Sequence, residues 1–205
     1  MRVTPETREE TRLRLLDAGR HLFGSLGLGA TTTRRIAEEA RVGAGTLFNY
    51  FPTKEALGLA ILGQAAREAE QESARSQRSD RPLEEALFDL LAVLLRHWEP
   101  YRAWVPEVLE GSLSPLRAAA SDGDPAGELR RRYLERVEAL LADAGRRPDD
   151  ALWVEHVHWA LTLGVIGFWA RDGSEHQSAT LALLDRTTRL FCQALRGEHG
   201  AETEG

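Results

Sequence analysis

The amino-acid sequence predicts an all-α protein, a small N-terminal three-helix unit holding a helix-turn-helix followed by a helical bundle, about nine helices in all. Two observations carry that prediction. Nearly every segment between turn signals repeats its apolar residues at helical spacing, and none sustains the period-two alternation of a half-buried strand. Of the 205 residues 42% are hydrophobic and 28% charged, so the chain has the apolar content to bury a core and the charge to stay in solution.

The elements follow in order. A hydroxyl at Thr4 and proline at Pro5 suit a helix start, and Leu15, Leu16, Gly19, Leu22, Phe23 and Leu26 share one face of a helix over residues 5–26 that Gly27 and Gly29 terminate. A short second helix, capped by Thr32 or Thr33, turns Ile36, Ala37 and Ala40 inward. After the turn at Arg41, Val42 and Gly43 a third helix covers residues 44–50. Phe51, Pro52 and Thr53 stop it and cap a fourth helix that starts near Lys54. Residues 76–82 are polar and turn-like, a linker within the body. Longer helices are expected over 82–98, 101–111, 125–144 behind an Asp124 cap, 148–171 and 174–195, the last opened by a capping box of Ser174 and Gln177. The tail beyond residue 197 lacks a large apolar side chain and is expected to fray.

Several function classes are excluded at this level. Apolar runs such as 87–95 and 160–170 fall well short of the roughly 20 residues that span a bilayer. Residues 2–14 are polar and charged, unlike a secretory signal, so no membrane partner and a cytoplasmic location are expected. Cys192 is the one cysteine, which rules out an internal disulfide or a cysteine-built zinc site. His156 and His158 are two apart, which on a helix points them about 200° from each other, so no metal site is expected. No ordered Ser-His-Asp set, phosphate-cradling glycine loop or dinucleotide fingerprint occurs, and His97 has no partnered nucleophile. Neither a catalytic residue nor a cofactor is assigned.

The net charge of −6 argues against nucleic-acid binding until its distribution is read. Residues 1–57 hold nine Lys or Arg against seven Asp or Glu, a net of +2, and the remainder holds 17 against 25, a net of −8. A mildly basic head on an acidic body suits a DNA-reading module joined to something that does not touch DNA. Within the head, Ala37 is small where two helices must cross, and Val42 and Leu47 can plug the space between them. Ile36 and Phe51 can pack on Phe23. That leaves Arg34, Arg35, Ala44, Thr46, Phe48, Asn49 and Tyr50 facing outward. Arg2, Arg8, Arg12 and Arg14 read as a solvated face, with an arm in the DNA minor groove as the alternative.

The run Thr31-Thr32-Thr33-Arg34-Arg35-Ile36-Ala37, then Val42-Gly43-Ala44-Gly45-Thr46-Leu47-Phe48-Asn49-Tyr50-Phe51-Pro52-Thr53-Lys54-Glu55-Ala56-Leu57, resembles the DNA-binding domain of TetR-family transcriptional regulators over about 50 residues with no insertion. The resemblance implies a DNA-binding domain over 1–57 and an effector-binding and dimerisation domain over 58–197, and composition marks 198–205 as a disordered tail. The resemblance makes Thr33 a phosphate ligand beside a helix N-terminus and Arg34 the base-reading arginine, with Arg35 on the same DNA-facing surface. Ala44, Gly45 and Thr46 would lie along base edges, Asn49 would reach a base or phosphate, and Tyr50 and Lys54 would hold phosphates. Two departures stand out. Gly43 replaces a turn serine, so the recognition helix loses a side-chain cap, and Phe48 replaces a tyrosine, which favours packing on sugar or methyl over a phosphate bond.

One short recognition helix makes few base contacts, so a homodimer on a two-fold operator in double-stranded DNA is expected. The surface implied is the last two long helices: Leu161, Gly164, Val165 and Phe168 on one, Leu181, Leu184, Thr188, Leu190 and Cys192 on the other, each with monomer core as its alternative. Aromatics crowd the body at Trp98, Tyr101 and Trp104 and along Trp153, Trp159, Phe168 and Trp169. With His156 they either wall a pocket for an apolar or aromatic small-molecule effector or fill the core. The sequence therefore reads as a DNA-binding regulator, of the repressor sign usual in that family, released from a palindromic operator by an effector. A helical interaction module without DNA and an enzyme using the aromatic pocket are the rival readings.

Overall fold

The computed structural model describes residues 5–76, 81–110, 125–146 and 154–197. Nine α-helices order them, and no strand occurs among the described residues: α1 Pro5–Leu26, α2 Thr33–Glu39, α3 Ala44–Tyr50, α4 Lys54–Ser76, α5 Leu83–Trp98, α6 Val105–Glu110, α7 Pro125–Asp143, α8 Trp159–Trp169 and α9 Ser178–Gly197. Short 3₁₀ turns at Glu99–Tyr101 and Glu175–Gln177, and a π-helical turn at Val154–His158, join the longer elements. The expected caps Thr4 and Asp124, most of the expected linker, the start of the helix expected from 148, Trp153 and the tail lie outside the described residues.

The head is built as its sequence pattern requires. Leu15, Leu16, Leu22 and Phe23 of α1 are buried with Ile36 and Ala37 of α2, Leu47 of α3 and Phe51 after it. Thr32 caps α2, its hydroxyl accepting the Arg35 backbone N–H at 3.3 Å. α2 ends in a tight reversal at Arg41 (φ 55°), where the Val42 N–H reaches the Ala37 carbonyl at 2.9 Å and the Arg41 N–H reaches Glu38 at 3.1 Å. These two bonds close the orphan carbonyls of the helix end, so a non-glycine residue tolerates the left-handed conformation. At Gly19 an added Cβ would stand 2.8 Å from Leu57 Cδ2, so the glycine is what lets α1 cross α4 closely.

α4 continues unbroken through residues 57 and 58 and packs against α1 on the head side and α5 and α7 on the body side. It is thus the wall shared by both halves. The remaining body elements close around α5, which also meets α8 and α9.

The last helix starts later than its sequence signals suggest. His176 and Gln177 take positive φ, so the Ser174–Gln177 pair forms no capping box. Ser174 Oγ instead accepts the Ala179 N–H at 3.0 Å, and Gln177 accepts from the Trp169 indole at 2.9 Å while donating to Glu99 at 2.7 Å. Asp172 does the capping: its carboxylate takes the Ser174 N–H, the Thr180 N–H and the Thr180 hydroxyl at 2.8, 2.8 and 2.6 Å. These bonds, the Thr180 hydroxyl foremost, hold its carboxyl well below the usual carboxylate range.

Candidate nucleic-acid interface and body cavity

The outer surface of α2 and α3 is a direct product of what their inner faces bury. Ile36, Ala37 and Leu47 point inward, so Arg34, Arg35, Ala44, Gly45, Phe48 and Asn49 are turned to solvent, with Thr33, Thr46 and Tyr50 half-buried at the edge. The Arg34 side chain is 86% exposed and meets Glu38 at 2.9 Å. An exposed i,i+4 pair contributes only about 0–1 kcal/mol, so the guanidinium is readily released to another acceptor. Gly43 stands at the start of α3 with no side-chain cap, and Phe48 is 49% exposed on the same face. A short helix presenting small residues, an amide and an exposed ring can enter a DNA major groove, and the flanking arginines have the donor geometry for guanine O6 and N7.

Lys54 is placed differently from a free phosphate ligand. Its ammonium donates to the carbonyls of Leu28, Gly29 and Thr31 at 2.8, 3.1 and 3.3 Å. An ammonium has three donors, so all are engaged in tying the start of α4 to the turn between α1 and α2. Thr31, buried behind that turn, donates to the Gly27 carbonyl at 2.7 Å. Lys54 therefore braces the recognition surface from behind.

In the body a cavity of about 960 Å³ opens between α4, α5 and α7. It reaches from Tyr50, Phe51 and Pro52, directly behind α3, to Tyr133 and Glu155 on the far side. Its apolar lining comes from Leu59, Ala60, Leu90, Leu94, Leu129 and Leu134, its charged rim from arginines and glutamates. Volumes of roughly 300–1,000 Å³ are usual for small-molecule sites.

Comparison with known proteins agrees with the head geometry. Residues 15–61 match the family model described as bacterial regulatory proteins, tetR family. Over those residues the head is thus similar to the DNA-binding domain of tetR-family regulators. The chain is similar to the HTH-type transcriptional repressor KstR of Mycolicibacterium smegmatis, 39% identical over 74 residues that cover 36% of this chain and 35% of that protein. The match thus spans about a third of the relative's length. Over a longer stretch it is 28% identical to the HTH-type transcriptional repressor Rv3405c of Mycobacterium tuberculosis, covering 73% of this chain and 67% of the relative. Among solved structures the fold is shared with a tetR-family regulator from Streptomyces coelicolor (TM-score 0.64, 18% identity, 96% of this chain and 84% of that one). It is shared also with FadR of Thermus thermophilus, a TetR-family repressor solved in complex with lauroyl-CoA (TM-score 0.63, 24% identity, 87% and 92%).

Among the described residues, the aromatics singled out from the sequence do not themselves line the cavity. Trp98 and Trp104 are buried where α1, α4, α5 and α6 meet: the Trp98 indole donates to the Leu62 carbonyl at 3.1 Å, and Trp104 meets Phe23 edge-on with centroids 5.4 Å apart. Tyr101 is half-buried against Trp104. Trp159 is buried beneath Arg130, whose guanidinium carbon lies 5.8 Å from its ring, and His156 is exposed. What walls the cavity is α4, and the signal for it was its run of small residues, Ala56, Ala60, Gly63 and Ala66, which leave room on one face.

One aromatic of the wall has a polar link outward. Tyr133 lies in the cavity lining, its hydroxyl 3.3 Å from His158 Nε2 and 3.3 Å from Thr162 Oγ1, and His158 packs edge-on to Phe191 at 4.6 Å. Burial pushes the His158 imidazole down to about 4, so it is neutral near pH 7, and raises the Tyr133 phenol to about 12. Burial likewise pushes the Cys192 thiol up to about 11, which leaves it a packing residue and a poor redox sensor.

The last two helices divide cleanly between core and surface. Val165, Leu184, Thr188 and Cys192 are buried within the chain itself. α8 carries no charged residue, yet Ala160, Gly164, Gly167 and Phe168 are exposed on one side of it, Phe168 at 43%, with Leu161 half-buried beside them. On α9, Leu190 is 58% exposed and lies seven residues from half-buried Leu183, on the same side of the helix. Leu181, also exposed, is nine residues from Leu190 and so about 180° around the helix, on a separate edge.

Proposed function

We propose that this chain is a homodimeric DNA-binding transcriptional regulator, a repressor that leaves a palindromic operator when a small molecule enters the body cavity. The observation that carries the reading is the α2–α3 surface: Arg34, Arg35, Ala44, Gly45 and Asn49 face solvent together on a scaffold fixed by Ile36, Ala37 and Leu47. Arg34 reads a base edge, Thr33, Thr46, Phe48 and Tyr50 meet the backbone or methyl groups, and Lys54 supports the surface. Such a role places the protein in the cytoplasm, with DNA, a second copy and an effector as partners and no catalytic task.

The all-apolar exposed side of α8, with Leu183 and Leu190 of α9, is the face assigned to the second copy. An uncharged helix with one side in water is the pattern of an interface, and Gly164 and Gly167, at which an added Cβ would meet nothing within 4 Å, allow close approach. The cavity runs from α7 to the turn behind α3, so a ligand that fits one arrangement of head and body better than the other shifts the population away from the DNA-binding form. The domain division assigned from sequence, head to residue 57 and body beyond, is retained with α4 as the shared element.

Selection of bound duplexes from a random library tests the reading. An inverted repeat whose half-sites lie about one helical turn apart, or a multiple of it, is the expected product. Recovery of no enriched sequence, with the protein monomeric in sedimentation, favours a helical interaction module instead.

A further inference from the structure

The charges around the cavity do not cancel. Four of the arginines on its wall pair with glutamates, Arg12 with Glu9 at 3.4 Å, Arg130 with Glu155 at 3.1 Å, Arg132 with Glu70 at 2.6 Å and Arg131 with Glu128 at 2.6 Å and with Glu135, and Arg136 also makes an interaction. Arg67, on α4 and half-buried in the same wall, makes no ion pair or hydrogen bond among the described residues. Its surroundings make this costly. Desolvation lowers its pKa first, and the cations Arg132 and Arg12 lower it further, against a weaker opposing pull from Glu128 and Glu68. Close by on the wall, Arg130 Nε is buried with no acceptor.

A half-buried, unpaired guanidinium beside two other cations is unfavourable in the empty protein and favourable once an anion arrives. Arginine keeps its charge and offers a planar fork that fits carboxylate or phosphate oxygens. The rest of the wall offers apolar contact from Leu59, Leu90, Leu94, Leu129 and Tyr133. We propose that the effector is an amphiphilic anion, its apolar chain lying between α4, α5 and α7 and its carboxylate or phosphate group held by Arg67. This inference rests on the effector reading given above and narrows it to a chemical class.

Calorimetric titration of the full chain with decanoate, decyl phosphate and decanol, each below its micelle concentration, tests it. At least one anion is expected to bind one site per chain about tenfold or more tighter than decanol. The tighter of the two identifies the head group as carboxylate or phosphate. Arg67→Gln is expected to remove that advantage while leaving decanol binding unchanged, and Arg67→Lys to restore most of it. Decanol binding as tightly as both anions, no binding by either anion, or full anion affinity in Arg67→Gln overturns the proposal. Operator release followed in parallel separates the two levels: a neutral ligand that binds and releases DNA sinks the anion and leaves the effector reading standing. An anion that binds through Arg67 without moving DNA supports the site and removes its regulatory role.

Discussion

The head and the body of this molecule bury side chains by different means. In the head, the residues that create the surface and those that hold it are neighbours in sequence: Ile36, Ala37 and Leu47 lie within fourteen residues of Thr33. In the body, the cavity takes Leu59 from α4, Leu90 from α5 and Tyr133 from α7, positions spread across more than seventy residues. The head is a surface set by local packing. The body is a space set by what three distant helices leave unfilled, and so it is the part that a ligand can reshape.

The comparison is broken most forcefully by acting on the packing of the head. Leu47, 1% exposed, plugs the α2–α3 crossing. Leu47→Ala is expected to cost about 3 kcal/mol and to abolish operator binding, read by thermal unfolding and electrophoretic shift. Retained binding at normal stability would mean that α3 is positioned by something other than this plug.

Acid should strike the body. His158 titrates at about 4 when folded against 6.5 as its ordinary value, so the unfolded chain binds the extra proton first. Its stabilisation is complete above about pH 6.5 and is lost as pH falls towards 4, by up to about 3 kcal/mol. All five tryptophans lie beyond residue 97, so their fluorescence reports the body and its junction with the head. His158→Leu is expected to flatten that part of the stability curve. An unchanged curve would contradict the buried neutral histidine.

Leu190→Asp places a charge on the apolar side of α9 that a second copy would cover. It is expected to weaken dimerisation by about 2 kcal/mol or more in sedimentation equilibrium, with the melting of the monomer little changed. At the same order, Arg34→Ala is expected to cost operator affinity about 1–3 kcal/mol and to relax sequence preference at one position, while stability moves by less than about 1 kcal/mol because only the exposed Glu38 pair is lost. The smallest effect sharpens the head alone: Gly43→Ser adds the missing cap on α3 and should stabilise by a few tenths of a kcal/mol, visible as a slight rise in melting temperature.

What the sequence disclosed follows the same division. The bounds of α3, the inward turn of Ile36 and Leu47 and the uncapped Gly43 are local features, and helical spacing with turn chemistry is enough to read them. Lys54 was harder. Its spacing after Phe51-Pro52-Thr53 marks its place, but the three carbonyls it bonds belong to a turn 23 to 26 residues earlier. Asp172 went unread because the cap it provides reaches eight residues forward to Thr180, across a 3₁₀ turn that the Ser174–Gln177 spacing does not announce. The tryptophans Trp98 and Trp104 attract notice in a sequence, yet their size is what fills the junction between head and body. The cavity is instead outlined by small residues of α4, and the absence of bulk in one helix becomes a space only when α5 and α7 are set opposite it.

The most direct test of the central claim is the salt dependence of duplex binding. With about six phosphates neutralised by the paired heads, log affinity against log salt concentration should fall with a slope of about −5, and Arg34→Ala should lower the affinity for the selected operator while leaving that for random duplex nearly unchanged. A flat salt response, or equal affinity for every duplex in wild type and variant alike, would contradict the assignment of the α2–α3 surface to DNA.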